Sequence, residues 1–293
     1  MTDLEVALAA IDGWGAEHAS AWLVDPDGVR ARHGDDAHPF RWASVTKLAT
    51  AWLVLIASDR GLIGLDEPAG PPGATVRHLL AHASGLAFEG RTVLAAPGRR
   101  RIYSNAGFDE LGALVEARSG TPFEVALTDW ILHPLGMERT RLVGRPSEGL
   151  HGPIGDLAAL AAELLRPSLV AAGTAREAMT VAFPGLIGLV PGVGRFDPCD
   201  WGLGPELHAG KVPHWMAERN SAATFGHFGG AGGFVWVDPV ADLALTVLTD
   251  RDFGPWALEA WPALSETVLG SALLLDGVDR ARREDGHGDE GDQ

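Results

Sequence analysis

A serine and a lysine three residues apart offer the first chemistry that side-chain type and spacing indicate in this sequence. Ser44 and Lys47 stand before an apolar run, residues 48–57, which has no Gly or Pro and is typical of a buried helix. Residues three apart share a helix face, so the Lys47 amine can reach the Ser44 hydroxyl. A serine hydroxyl becomes nucleophilic when a neighbour takes its proton, and a lysine whose charged form is disfavoured by burial can do so.

The alternative for this pair is a helix N-cap serine followed one turn later by an exposed lysine. Ser-x-x-Lys alone is a weak signal, because short motifs recur by chance. The rarity of lysine in this chain favours a catalytic role for Lys47. Lys47 and Lys211 are the chain's only lysines among 23 basic residues, and arginine stays protonated and cannot replace a lysine that acts as a base.

The elements around this pair suggest one sheet built from both ends of the chain. A helix is predicted over residues 4–18, then a strand at 19–24, a turn at Asp25–Gly28 and a partner strand at 29–33. Late in the chain, strands are predicted at 201–208, 234–238 and 243–248, followed by a helix at 256–275.

The middle of the chain has mainly helical patterns. Helices are predicted at residues 75–82, 106–119, 121–131, 155–165 and 174–179, and an apolar loop at 183–194 is expected to cover a groove. The economical arrangement is an α+β fold, with a mostly antiparallel sheet flanked by N- and C-terminal helices and an inserted helical lobe. We divide the chain into a sheet lobe (1–60 and 197–275), a helical lobe (61–196) and an acidic disordered tail (276–293).

Composition limits the classes of partner. The 293 residues are 46% hydrophobic, typical of a globular protein, and the net charge of −16 argues against nucleic acid and anionic membranes. The acidic N-terminus does not resemble a signal peptide and no run is long enough to span a bilayer, so a cytoplasmic location is expected. The single cysteine, Cys199, fits a reducing compartment and is more simply incidental than catalytic.

A metal site receives little support from the sequence. His78 and His82 are four residues apart, so both could face one ion, but no third ligand is evident nearby and no Glu follows His78. We expect neither a metal nor another cofactor.

Two further motifs follow Ser44-Val-Thr-Lys47 in order: Tyr103-Ser-Asn105, with the chain's only tyrosine, and His227-Phe-Gly229. Taken alone, Tyr103 would be a packing aromatic and Asn105 a helix cap. In this order and spacing, the three motifs resemble the serine β-lactamase and penicillin-binding-protein superfamily, in particular its class C β-lactamase-like branch of esterases and D-amino-acid peptidases. The resemblance extends over about residues 5–275, through phrases such as Pro134-Leu-Gly-Met137 and Trp201-Gly-Leu-Gly204.

The resemblance implies a β-lactamase/transpeptidase-like fold and a role for each motif residue. Ser44 would form an acyl-enzyme, Lys47 would accept or share its proton, and Tyr103 would relay a proton to the leaving group. Asn105 would position Lys47 and the substrate. His227 would replace the lysine of the Lys-Thr-Gly motif, of which Gly229 is the glycine. An oxyanion hole would come from the Ser44 and Gly230 N–H groups.

Departures from the family pattern indicate the substrate class. Because histidine at 227 is not a permanent cation, it weakens the anchor for a β-lactam or D-Ala carboxylate. We expect a serine acyl hydrolase, esterase-like, acting on a small carboxylic ester or amide. The alternatives are a biosynthetic transacylase, a D-Ala-type peptidase or weak β-lactamase, and a non-catalytic binding module. The sequence leaves the oligomeric state open.

Overall fold

The computed structural model describes residues 2–285, which form an α+β fold. The helices are α1 (Asp3–Leu8), α2 (Thr46–Asp59), α3 (Val76–Leu80), α4 (Asn105–Ser119), α5 (Phe123–Leu127), α6 (Ile154–Leu165), α7 (Ala172–Ala178) and α8 (Pro255–Asp285). The strands are β1 (Ala19–Asp25), β2 (Gly28–Gly34), β3 (Phe40–Arg41), β4 (Arg101–Ile102), β5 (Arg141–Leu142), β6 (Leu150–Gly152), β7 (Gly188–Val190), β8 (Gly194–Phe196), β9 (Glu206–Leu207), β10 (Phe225–Gly229), β11 (Gly233–Asp238) and β12 (Leu243–Thr249).

The main sheet joins the two ends of the chain. Its six strands lie in the order β2-β1-β12-β11-β10-β9, and every neighbouring pair is antiparallel. The N-terminal hairpin β1–β2 therefore pairs with the last strand of the C-terminal meander, which confirms the predicted sheet built from both ends. Two smaller sheets, β3-β6-β5 and β4-β7-β8, come partly or wholly from the middle of the chain.

Strands β10, β11 and β12 are buried on both faces, because their side chains alternate between two cores, whereas the edge strand β2 is largely exposed. In β11, Val235 and Val237 face the core that contains α2 and α6, whereas Phe234 and Trp236 face the core formed with α1 and α8. Helix α2 is buried along nearly its whole length. It therefore lies inside the molecule, as its uninterrupted apolar sequence predicts.

Several predicted boundaries were wrong. The predicted helix 4–18 ends as α1 at Leu8, followed by a 3-10 helix at Ala9–Trp14, and only Glu206–Leu207 of the predicted strand 201–208 joins the sheet. The predicted loop 183–194 contains β7 and the start of β8.

Helix α8 also continues to Asp285, beyond the expected end at residue 275. The predicted acidic tail, residues 276–293, thus overlaps this helix, and residues 286–293 lie outside the described part of the chain. The division into two lobes stays a prediction.

Candidate active site

Ser44 lies where a strand turns into the central buried helix. Strand β3 ends at Arg41, a 3-10 turn spans Ala43–Val45, and α2 begins at Thr46. Ala43 adopts φ 45°, in the left-handed region that is costly for a residue with a Cβ. This strained turn places the Ser44 hydroxyl in a cavity, while Lys47 lies in the first turn of α2.

Lys47 is fully buried and has three polar neighbours. Its Nζ lies 3.1 Å from Ser44 Oγ, 2.6 Å from Asn105 Oδ1 and 2.9 Å from the Ser147 carbonyl oxygen. The last two atoms can only accept hydrogen bonds. A neutral Lys47 amine therefore donates its two hydrogens to them, which leaves its lone pair for the Ser44 hydroxyl proton.

Asn105 is held in the orientation that this arrangement needs. Its Nδ2 donates to Glu89 Oε1 at 2.9 Å and lies 3.4 Å from Glu148 Oε2, so Oδ1 is the atom that faces Lys47. Asn105 begins α4, but Ser104 caps the helix by accepting from the Gly107 N–H. The alternative interpretation, in which Asn105 caps this helix, is therefore wrong, and the Asn105 side chain is free to contact Lys47.

The electrostatic surroundings lower the pKa of Lys47 from 10.5 to about 7. Burial is the main cause. The carboxylates of Glu148, Asp109 and Glu89 act in the opposite direction, and Arg145 offsets part of their effect. Arg145 forms ion pairs with Glu89, Asp109 and Glu148 at 2.6–3.1 Å. The negative charge of these carboxylates is therefore largely compensated by the guanidinium. A large fraction of Lys47 is consequently neutral near pH 7.

Tyr103 brings a phenol to the same place. The Lys47 Nζ lies over the Tyr103 ring, 4.9 Å from its centre, and the phenol oxygen lies 3.4 Å from His227 Nε2. Burial raises the pKa of Tyr103 well above its ordinary value, and a hydrogen bond with Ser44 lowers it only partly. Tyr103 is therefore a neutral phenol at physiological pH and can donate a proton.

His227 is neutral as well. Its Nδ1 is 2.7 Å from the carbonyl oxygen of Phe228, so Nδ1 carries the proton and Nε2 accepts from the Tyr103 hydroxyl. Burial and then the charge of Lys47 lower the pKa of His227 to about 3. A bound carboxylate would find no positive charge here.

Strand β10 passes very close to the turn that holds Ser44. A Cβ on Gly229 would lie 2.3 Å from the Trp42 carbonyl oxygen, so only glycine fits at this position. Gly230, just beyond the strand, lines the cavity with Ser44, and a Cβ added there would meet nothing within 4 Å. The two residues that the sequence proposes as N–H donors to an oxyanion thus border the same space.

The cavity has a volume of about 250 Å³ and mostly apolar walls. Beside Ser44, Tyr103, His227 and Gly230, its walls come from apolar residues and Gly192: Phe88, Val190, Pro191, Trp201, Phe228 and Phe253. Every residue that the sequence analysis proposed for catalysis or binding lies at this cavity or directly behind it. Their chemical roles stay predictions.

The other reactive side chains that the sequence analysis considered do not line the Ser44 cavity. Cys199 is buried, which raises the pKa of its thiol to about 11, so it is a poor nucleophile. His82 packs against Tyr103 with ring centres 4.4 Å apart and the ring planes tilted by 35°, whereas His78 forms a hydrogen bond with the Thr75 side chain at the start of α3. Among the described residues, the ligand atoms of His18, Asp35 and His38 lie within 4.8 Å of one another, but this group does not line the Ser44 cavity.

The sequence analysis did not identify the groups that surround Lys47 behind the cavity. Ser147 contributes a backbone carbonyl, which no side-chain pattern reveals. Glu89, Asp109 and Arg145 lie in three distant segments, and only their folding together makes them a network.

The fold and the site together define a class of protein: a β-lactamase/transpeptidase-type α+β fold with a Ser-x-x-Lys pair, a tyrosine and a glycine-rich strand around one cavity. The chain belongs to the Beta-lactamase family, whose model matches residues 6–268. A crystal structure of a β-lactamase from Mycobacterium bovis is 52% identical and covers 91% of this chain and 99% of its own, with a TM-score of 0.89. The fold class and the resemblance predicted from the motifs are thereby confirmed.

Two curated relatives are more distant. The D-alanyl-D-alanine-carboxypeptidase/endopeptidase AmpH of Escherichia coli (strain K12) is 29% identical over 40% of this chain and 41% of its own length. Esterase EstB of Burkholderia gladioli is 29% identical over 52% of this chain and 50% of its own. These matches span half or less of either relative.

Within residues 2–285, the helices are all too short or too polar to cross a membrane.

Proposed function

We propose that the protein is a serine acyl hydrolase that cleaves a small carboxylic ester through an acyl-enzyme on Ser44. One observation carries the proposal: the Lys47 amine has two neighbours that only accept hydrogen bonds, and its remaining position faces Ser44 Oγ at 3.1 Å. With a pKa of about 7, Lys47 has the lone pair in place before any substrate binds. A base with a pKa near the working pH is the most effective one.

In the first half of the reaction, Ser44 Oγ attacks the ester carbonyl carbon and its proton moves to Lys47 Nζ. The carbonyl electrons go to oxygen, and the Ser44 and Gly230 N–H groups stabilise that oxyanion. When the carbon–oxygen bond to the leaving group breaks, Tyr103 gives its proton to the departing oxygen. Lys47 then returns a proton to Tyr103, so both groups end this half in their starting forms.

In the second half, a water molecule attacks the acyl carbon. Its proton passes through Tyr103 to Lys47, Ser44 Oγ leaves, and Lys47 returns that proton to Ser44. The neutral state of Tyr103, which burial maintains, suits it to giving a proton first and relaying one later. His227 keeps the phenol in place as an acceptor at 3.4 Å.

A neutral reacting half of the substrate fits the cavity best. Its walls are mostly apolar, and His227 has a pKa of about 3, so the position that anchors a carboxylate in related enzymes has no charge. We therefore propose ester turnover as the main activity. The family relationship keeps D-alanyl peptides and β-lactams as the comparison substrates.

The test is hydrolysis of short-chain p-nitrophenyl esters. Ser44→Ala is expected to lower kcat/KM by at least ~10³-fold, because the nucleophile is lost. The matched control is Ser58→Ala near the far end of α2, which leaves turnover unchanged. A mass increase equal to the acyl group on wild-type protein, absent from Ser44→Ala, shows the intermediate.

Three outcomes would contradict the proposal in different ways. Turnover by Ser44→Ala equal to that of wild type rules out Ser44 as the nucleophile. Turnover of the β-lactam nitrocefin faster than that of any ester makes β-lactams the substrate class. Products formed mainly with an added amine or alcohol instead of water identify an acyl transferase.

A further inference from the structure

A second cavity opens next to the one at Ser44. Its volume is about 530 Å³, and it shares Phe88, Tyr103 and Pro191 with the first cavity. Because these three residues line both cavities, the two cavities adjoin beside Tyr103. We call the second cavity the outer groove.

The outer groove exposes large apolar side chains to water. Phe88, Leu94 and Leu189 are 51%, 60% and 57% exposed, and all three line this groove. Exposed apolar side chains scattered singly are ordinary, but a cluster beside a reactive site indicates a surface that a ligand covers.

Two arginines at the outer groove lack a carboxylate partner. Arg100 and Arg195 are exposed and line the groove, and neither forms an ion pair with any described residue. Arg101 also lines the groove, but it gives its donors to backbone carbonyls and is not free.

We propose that the outer groove binds the leaving half of the substrate: an alcohol or thiol whose apolar stretch ends in an anion, either a carboxylate or a phosphate. The inference rests on the proposed function and names the substrate class of the same site. Tyr103 stands where the two cavities meet and is the proposed proton donor to the leaving group. The acyl half therefore lies in the inner cavity and the leaving half extends past Tyr103, over the apolar side chains, to the two guanidinium groups. Guanidinium pairs with either anion through two parallel hydrogen bonds.

Three acetate esters of six-carbon alcohols test this assignment: hexyl acetate, 6-acetoxyhexanoate and 6-acetoxyhexyl phosphate. Wild type is expected to prefer the anionic esters over hexyl acetate by about tenfold in kcat/KM, mainly through KM, because a solvent-exposed charge pair contributes modest uniform binding. Arg100→Ala and Arg195→Ala are each expected to reduce that ratio about threefold, and the double variant to abolish it. About 0.5 M salt abolishes it as well.

Arg99→Ala is the matched control, because Arg99 is an exposed neighbour that does not line the groove; its ratio remains that of wild type. The larger ratio, for carboxylate or for phosphate, identifies the anion. A ratio of one in wild type, or an unchanged ratio in the double variant, overturns the inference while ester turnover still supports the proposed function. Preference for an anion on the acyl half overturns it too.

Binding of hexyl phosphate, measured by calorimetry, separates the two proposals. It requires no turnover, so it reports on the groove even if every ester is inert. Affinity that exceeds that of hexanol and falls about tenfold in the double variant supports the groove assignment. Equal affinity of both proteins for hexyl phosphate contradicts it, whatever the esterase assay shows.

Discussion

Lys47 is the residue on which the proposed chemistry depends, and its surroundings explain why arginine could not replace it. Full burial disfavours its charged form, and the nearby carboxylates are engaged by Arg145. The outcome is an amine with a pKa of about 7 and not the ordinary 10.5. A guanidinium at the same place would stay charged and could not accept the Ser44 proton.

The first prediction concerns the pH dependence of ester hydrolysis. Lys47 must be neutral to act as a base, and burial lowers its pKa to about 7. We therefore expect kcat/KM to rise up to about tenfold per pH unit below that value and to level off above it. Because burial raises the pKa of Tyr103, we expect no alkaline decline near pH ~10, where an exposed tyrosine ionises.

The measurement is kcat/KM for a short p-nitrophenyl ester from about pH 5 to about pH 10, corrected for spontaneous hydrolysis. Lys47→Arg serves as the comparison and is expected to lose turnover at every pH in this range. A wild-type profile without a rise near neutrality would be evidence against Lys47 as the base.

At the scale of secondary-structure elements, the contact between β10 and the 3-10 turn at Ala43–Val45 decides where Ser44 lies. The backbone of β10 approaches so closely that Gly229 lies against the Trp42 carbonyl. This contact brings Gly230 to the cavity that Ser44 lines. The close packing of β10 against this turn is therefore enough to require glycine at position 229, whatever its part in the chemistry.

The second prediction compares two adjacent glycines. In Gly229→Ala the new Cβ would lie 2.3 Å from the Trp42 carbonyl oxygen, so the strand or the turn must move. We expect a loss of about 2–3 kcal/mol of stability and at least ~10-fold of kcat, because overpacking and a displaced nucleophile act together.

Gly230→Ala is the matched control, because a Cβ there meets nothing within 4 Å. Thermal unfolding of this variant should match wild type within about 0.5 kcal/mol. If Gly229→Ala unfolds like Gly230→Ala, the close approach of strand and turn is not a constraint on the fold.

The same elements show what the sequence could and could not predict. The helix after Ser44 and the hairpin of β11 and β12 have clear apolar patterns, and both were predicted correctly in type. Strand β10 was missed as an element, because Phe225–Gly229 has glycines where a typical strand has β-branched residues. Strands β7 and β8 are three residues each and depend on tertiary pairing, β7 with β4 and β8 with β7, so they have no local signal.

The candidate site was predictable wherever a side chain belongs to an ordered motif. Ser44, Lys47 and Tyr103 each stand in one, and they lie together in the structure. The Ser147 carbonyl belongs to no motif, because any residue type supplies a carbonyl. Which carboxylates approach Arg145 likewise depends on tertiary packing alone.

At the scale of the whole molecule, one buried arginine links segments that are far apart in sequence. Arg101 is 3% exposed and donates to the carbonyl oxygens of Ala81, Ala182 and Cys199, the last two at 2.8 and 3.0 Å. Burial lowers its pKa to about 10, yet it stays charged at neutral pH. Arg99, Arg100 and Arg101 are consecutive, so the sequence alone does not tell which one is inside.

The third prediction follows from this link. Arg101→Met would leave three buried carbonyls without donors, and we expect the free energy of unfolding to fall by about 3 kcal/mol. Because Tyr103 lies two residues away on the same segment, kcat/KM for the ester should fall as well, even at temperatures where the variant is folded. Arg101→Lys should restore little of either, since one ammonium group cannot reach carbonyls that a guanidinium bridges.

Chemical denaturation of Arg101→Met, Arg101→Lys and Arg99→Met measures the effect against a matched surface control. Arg99 is exposed, so Arg99→Met should stay within about 0.5 kcal/mol of wild type. Similar stability of the two methionine variants would mean that the walls of the cavity stay together without Arg101. Loss of stability in Arg101→Met alone would show that a single guanidinium joins α3, the segment before β7 and the segment before β9, and so fixes the wall from which Tyr103 faces Ser44.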